Sequence, residues 1–208
     1  MDWLPSALVG LGLSAVAYFG LNSILHTIST RSGVPTGRVY VSGGRLLGPG
    51  STAVSLTPTD KLWLGRAVLG ETGGTDRRAN AAVIWALAQN LMLIIGSRDS
   101  RPRFSSFTAL IRAYAQPVNP SWAVAGEGKC ILHPGSCTPA RIARRAATAS
   151  TLYADLPAAT RETVGAFFNG TLANPVPGAT DWHASHFEGA TVQVGGNWFG
   201  VSPRRRLA

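Results

Sequence analysis

Between Trp3 and Thr30 the chain carries no Asp, Glu, Lys or Arg. A stretch so free of charge needs cover, either from lipid or from other protein. Its core, Leu4–Leu25 (LPSALVGLGLSAVAYFGLNSIL), is long enough to cross a hydrocarbon layer as a helix. Ala7, Gly10, Ser14, Ala17 and Leu21 fall near one face, and small residues there suit close helix packing in lipid. Trp3 sits where an interfacial anchor belongs. Residues 1–30 are therefore expected to form a membrane-anchoring helix. Two rivals remain open: a signal peptide cut after Ala15-Val16-Ala17, which lacks a basic start, and a helix buried inside a large assembly. Arg31, Arg38 and Arg45 follow the segment and Asp2 precedes it. The positive-inside rule would then put the rest of the chain on the cytoplasmic side, and topology stays open.

A chain of 208 residues has room for one domain of about 150 residues beside such a segment. Residues 31–56, rich in glycine, read as a linker with one or two short extended pieces around Val39, Tyr40 and Val41. Helix signals dominate from residue 57 onward. Thr57 is an N-cap, Pro58 the first helical residue and Asp60 the third, and the helix should end at Gly73-Gly74. A second helix is expected over Arg78–Ile95 with Asp76 at its cap, and a third from Ser105-Ser106 to just before Pro117. A fourth opens at Thr138-Pro139 and carries Arg141, Arg144 and Arg145. The fifth spans about Ala158–Phe168 and stops at Asn169-Gly170. One short strand is expected at Thr191–Val194. The reading is a mainly α domain over 57–208 with a minor β element, an α+β composition.

The formal net charge is +9, and only Lys61 and Lys129 among the cations are lysines. A basic surface favours polyanions: nucleic acid, anionic lipid or acidic wall polymers. No zinc-finger spacing or RNA-recognition aromatic signature is present, so nucleic acid would be bound without sequence specificity. Arg204-Arg205-Arg206 reads as a solvated tail, or as a contact to anionic lipid or nucleic acid. Cys130 and Cys137, with six residues between them, suit a local disulfide and an oxidising compartment better than two free thiols. His133 lies between them, and His183 and His186 form a loose pair. Neither group has enough further ligands for a metal site, and nothing calls for a cofactor.

Glu71 is the residue with the clearest chemical potential. It ends an apolar helix (LWLGRAVLGETGG), where the helix dipole disfavours negative charge. That placement, with apolar neighbours such as Leu69, raises a carboxyl pKa and keeps it protonated near neutrality. A protonated carboxyl beside a sugar can release a glycosidic oxygen. The plain alternative is a solvated glutamate at a helix end.

Ala67–Gly74 (AVLGETGG) followed by Asn80–Asn90 (NAAVIWALAQN) resembles the cell-wall hydrolases related to spore-cortex-lytic enzymes. Glu71-Thr72-Gly73-Gly74 is also similar to the Glu-Ser-Gly-Gly element of lytic transglycosylases, with Thr for Ser. Phe107–Trp122, and Asn174–Trp182 with Gly195–Phe199, look like stretches of phage and bacterial wall hydrolases. Where those proteins often place a histidine after Gly-Ala-Thr, this chain has Asp181. The resemblance, over about residues 57–200, implies a lysozyme-like fold that cleaves the β-1,4 bond between N-acetylmuramic acid and N-acetylglucosamine. It implies Glu71 as the acid, the glycan strand as partner, and work for a larger machine such as a virion or secretion apparatus.

Candidate substrate contacts follow from residue type. Thr72 would touch the sugar or orient Glu71, with helix-end capping as the alternative. Tyr114, Gln116, Asn119 and Trp122 form a polar–aromatic stretch around Pro117 and Pro120, suited to sugar faces, although core packing competes for Trp122. Trp182 shares that ambiguity. Thr180 and Asp181 sit in a turn that either faces a cleft or only closes the chain. Two further classes stand beside the enzyme: a structural virion or membrane protein with the same fold, and a basic DNA-associated protein.

Overall fold

The computed structural model describes residues 38–49, 52–96, 104 and 106–202. The apolar segment 1–30, the start of the expected linker and the arginine run 204–206 lie outside them. Among the described residues the fold is mainly α, with two small antiparallel sheets.

The helices begin where the caps say. Helix α1 (Pro58–Thr72) opens with a reciprocal capping box: Thr57 Oγ1 accepts the Asp60 N–H at 3.1 Å, and Asp60 Oδ2 accepts the Thr57 N–H at 2.8 Å. The other oxygen of this buried carboxylate accepts the N–H and hydroxyl of Thr108, at 2.7 and 2.6 Å. Asp60 thus joins α1 to helix α3 (Phe107–Tyr114), which starts at its own cap, Ser106. Leu64, Ala67 and Val68 lie one helical turn apart, so α1 buries a single face.

Helix α2 (Arg77–Gly96) is the core of the molecule. Nearly every side chain from Ala79 to Met92 is buried. By length and composition Arg77–Ile95 could cross a membrane, yet it is packed inside the fold, as a helix apolar on all sides must be. Helix α6 (Ala158–Phe168) covers it with Thr160, Thr163, Val164 and Phe167, and the Phe167 ring meets Trp85 edge-on at 5.2 Å. A four-residue helix α4 (Lys129–Leu132) and helix α5 (Pro139–Ser150) form the periphery. Cys130 in α4 is paired with Cys137 just ahead of α5, with Cα atoms 5.6 Å apart.

Residues 40–55 are more than a linker. Strands β1 (Tyr40–Ser42), β2 (Arg45–Leu47) and β3 (Ala53–Ser55) form an antiparallel meander. It sends Val41 and Leu46 into the core; alternation along strands this short carries too few residues to reveal that in the sequence. The second sheet runs in the order β4 (Asp181–His183), β6 (Asn197–Gly200), β5 (Ala190–Val194). The expected strand near 191–194 is therefore one of three.

The second sheet is tied to α2 by one amide. Buried Gln89 donates through Nε2 to the carbonyls of Val176 and Ala179, at 3.0 and 2.8 Å. Its Oε1 accepts the Gly178 N–H at 2.6 Å and the Asn174 side chain at 3.3 Å. The loop leading into β4 is wrapped around this side chain. Gln89→Leu should therefore strand buried donors and acceptors and lower stability by about 2–4 kcal/mol in urea denaturation. A loss below about 1 kcal/mol would show that water satisfies the loop instead.

Candidate active site around Glu71

The sequence Glu-Thr-Gly-Gly turns out to be a joint between three helices. α1 ends at Gly73, whose φ of 75° places it in the left-handed region and whose N–H bonds Leu69 O at 3.0 Å. The Thr72 hydroxyl lies 2.8 Å from Val68 O and 2.6 Å from Asn80 Oδ1, and accepts the Gly74 N–H at 3.1 Å. Asn80 Nδ2, on α2, donates to Gly74 O at 3.0 Å, and Thr160 on α6 donates to the same carbonyl at 2.8 Å. Asn80 and Thr160 are fully buried. Gly74 has a φ of 77°, and a Cβ there would come within 2.5 Å of Thr160 Oγ1. Only glycine admits both the backbone angle and the close approach.

This joint fixes the last turn of α1 and with it Glu71. The Glu71 side chain is half-buried and is met from two directions. Trp182 Nε1 on β4 donates to Glu71 Oε2 at 3.3 Å across 111 positions of sequence. The backbone of Gln116, in the 3-10 turn Gln116–Val118, supplies a second hydrogen bond. That turn is pressed onto α1: a Cβ at Gly70 would overlap the Pro117 ring.

Burial pushes the Glu71 carboxyl above its ordinary pKa of 4.5, and the bonds from Trp182 and Gln116 pull part of the way back. Desolvation disfavours the charged form, whereas donors aimed at the carboxylate favour it. No basic residue occupies the last turn of α1 to offset the charge. The arrangement suits a group that holds a proton and releases it when a bound molecule needs one.

The expected contacts fall into three groups. Trp182 reaches Glu71, and Gln116 both bonds Glu71 and lines a cleft of about 290 Å³ with Gly70, Pro117, Thr148 and arginines of α5. Glu71 does not itself line that cleft; its neighbour Gly70 does. Asn119 borders a separate cleft of about 600 Å³ with Thr108, Arg112, Ser121 and Lys129. Its amide is spent locally, donating to Ala113 O at 2.7 Å and capping the Ser121 N–H at 2.9 Å. Tyr114, partly exposed at the end of α3, packs edge-on against Phe104.

The remaining expected residues are engaged within the fold. Thr72 is engaged inside the joint, so it positions Glu71 and its hydroxyl proton is taken by internal acceptors. Trp122 lies flat on His133 of the disulfide-closed loop at 5.4 Å, under the Arg145 guanidinium. Thr180 is buried and donates to Asp181 Oδ2 at 2.8 Å, and the same oxygen accepts the Ser202 N–H at 3.3 Å. Neighbouring strand positions face opposite sides of a sheet, so with Trp182 turned to Glu71, Asp181 faces away from it. Asp76 serves as the α2 cap, accepting the N–H groups of Arg78 and Ala79 at 2.8 and 3.0 Å. No group of three or more His, Cys, Asp or Glu with metal-binding spacing occurs among the described residues.

Asn80, Gln89 and Thr160 are the positioning residues that sequence reasoning passed over. A signal existed for the first two: amides inside an otherwise apolar helix must find buried partners. Compared with known proteins, the chain matches no family model, no curated protein and no solved structure.

Two measurements check the electrostatics. A carboxyl with a raised folded pKa contributes stability that is complete below its unfolded value and lost as the pH rises through the folded one. Glu71→Gln should thus melt higher than the parent near neutral pH, with the gain vanishing below about pH 4, where both side chains are neutral. A gain that does not depend on pH would contradict the desolvation. Trp182→Phe removes a donor to the carboxylate, so the Glu71 titration, followed by carbon NMR of its carboxyl, should move further up. A downward move would mean that the indole instead shields Glu71 from water.

Proposed function

We propose that this chain is a peptidoglycan-cleaving enzyme, a lytic transglycosylase or related muramidase with a lysozyme-like domain, in which Glu71 is the acid. One observation carries the reading: a carboxyl whose pKa burial raises, on a helix terminus, met by the indole of Trp182 and the turn at Gln116. The resemblance of the Glu-Thr-Gly-Gly and Asn174–Trp182 stretches to wall hydrolases supplies the substrate class.

In this reading Glu71 gives its proton to the glycosidic oxygen as the C1–O bond of the muramic acid breaks, leaving a hydroxyl on N-acetylglucosamine. The resulting carboxylate then takes the proton of the C6 hydroxyl as that oxygen closes on C1, forming a 1,6-anhydro ring. No water is consumed, and Glu71 ends protonated as it began. Such chemistry needs no second carboxylate, unlike ordinary inverting or retaining glycosidases. The commitments of Asp60, Asp76 and Asp181 elsewhere support a one-acid mechanism. So does Glu162, paired with Arg77. Trp182 favours the ionised middle stage by its hydrogen bond.

The paired cysteines support an oxidising location, as expected of a domain working in the periplasm, outside the cell or in a virion, with residues 1–30 as membrane anchor. The full chain in detergent, incubated with purified peptidoglycan, should release 1,6-anhydro fragments identifiable by mass. Glu71→Gln should lower that rate by about a hundredfold or more. Undiminished cleavage by the variant would remove Glu71 from its role, and reducing ends would indicate a hydrolase. An inactive parent would favour a structural role in a virion or membrane.

A further inference from the structure

Helix α5 begins with an arrangement that does the fold no good. Arg141, Arg144 and Arg145 are spaced by three and four positions, so their guanidinium groups share one helix face. Like charges at that spacing oppose helix formation, and positive charge in the first turns also opposes the helix dipole. No acidic residue lies in the first turn to balance them, and the ion pair recorded among the described residues, Arg77–Glu162, lies on other helices.

Two of the three groups are nonetheless held in place. Arg145 donates to the carbonyls of Trp122 and Ser136, at 3.0 and 2.9 Å, and Arg141 donates to Gly135 O at 3.0 Å. These neutral partners fix position without cancelling charge. The Arg144 guanidinium makes no hydrogen bond or ion pair among the described residues. All three line the cleft of about 290 Å³ together with Gly70 and Gln116, the immediate neighbours of Glu71 in sequence and by hydrogen bonding. Burial and the nearby Arg141 both depress the Arg145 pKa, a sign that the cations feel one another. Two anchored cations and one free fork, uncompensated around a small cleft, are what a carboxylate or phosphate requires.

We propose that this arginine-lined cleft is an anion subsite that holds a carboxylate of the peptide borne by the glycan strand cut at Glu71. It rests on the peptidoglycan reading for the identity of the anion. Gly70 and Gln116 border this cleft and also adjoin Glu71, which links the two. Arg144 supplies the free fork, while Arg141 and Arg145 set the field. A phosphate-rich wall polymer is the other source of the same chemistry.

The test uses the full chain in detergent and three probes: a soluble disaccharide–peptide with free carboxyls, the same molecule with its carboxyls amidated, and inorganic phosphate. Calorimetry should show the free acid binding roughly tenfold more tightly than the amide, with that advantage lost in Arg144→Gln and in Arg141→Gln. Both variants should raise KM on peptide-bearing peptidoglycan while leaving kcat, and cleavage of peptide-free glycan strands, unchanged. Equal binding of acid and amide overturns the proposal, as does Arg144-dependent binding of phosphate without that of the peptide. Binding is read without turnover, so an inactive parent that still prefers the acid through Arg144 would sink the cleavage reading and leave the subsite standing.

Discussion

The carbonyl of Gly74 is the point on which this structure turns. It is bonded by Asn80 from α2 and Thr160 from α6, while Thr72 closes the same network from α1. Three helices are locked together at a place where none could supply a backbone hydrogen bond to the others. Buried polar groups left unpaired cost far more than paired ones return, so this network admits one arrangement of the helix ends. Glu71 stands immediately before it in the chain, and inherits its rigidity.

The second anchor lies nine residues along α2. Gln89 holds the loop from Asn174 to Ala179 by four hydrogen bonds, and that loop delivers Trp182. At about 1.5 Å of rise per residue, the two amides stand roughly 13 Å apart on one rigid helix. The carboxyl and the indole that touches it thus come from chain segments more than a hundred residues apart, set against a common rule. A helix packed on all sides is a stiff frame, and groups meant to act together gain from such a frame.

The site also carries a cost that the remainder of the fold must absorb. A carboxyl at a helix C-terminus, partly removed from water and lacking a cation in its own turn, costs stability when it ionises. The arginines of α5 add self-repulsion close by. Both features run against the rules that govern the rest of the chain, where caps, glycine turns and apolar faces agree with one another. Local conflict of this sort concentrates where proteins bind and react.

Much of this molecule was legible from its residues alone. Helix ends were readable at Thr57-Pro58, Ser106, Thr138-Pro139 and Gly73, since capping depends on side chains and backbone angles within a few positions. Glu71 was readable for the same reason: its unfavourable place on a helix is a local fact. The meander at 40–55 and the strands flanking Ala190–Val194 were not, and for Thr72, Trp122 and Asp181 the residues left two readings open. Short strands acquire meaning only from their partners, and a polar or aromatic side chain has several possible neighbours until the chain closes on it. Sequence by itself determined where the helices begin, where they stop and which carboxyl is out of place. Tertiary structure decided that Trp182 meets it and that Asn80 braces the joint beside it, because those outcomes depend on contacts between residues far apart in the chain.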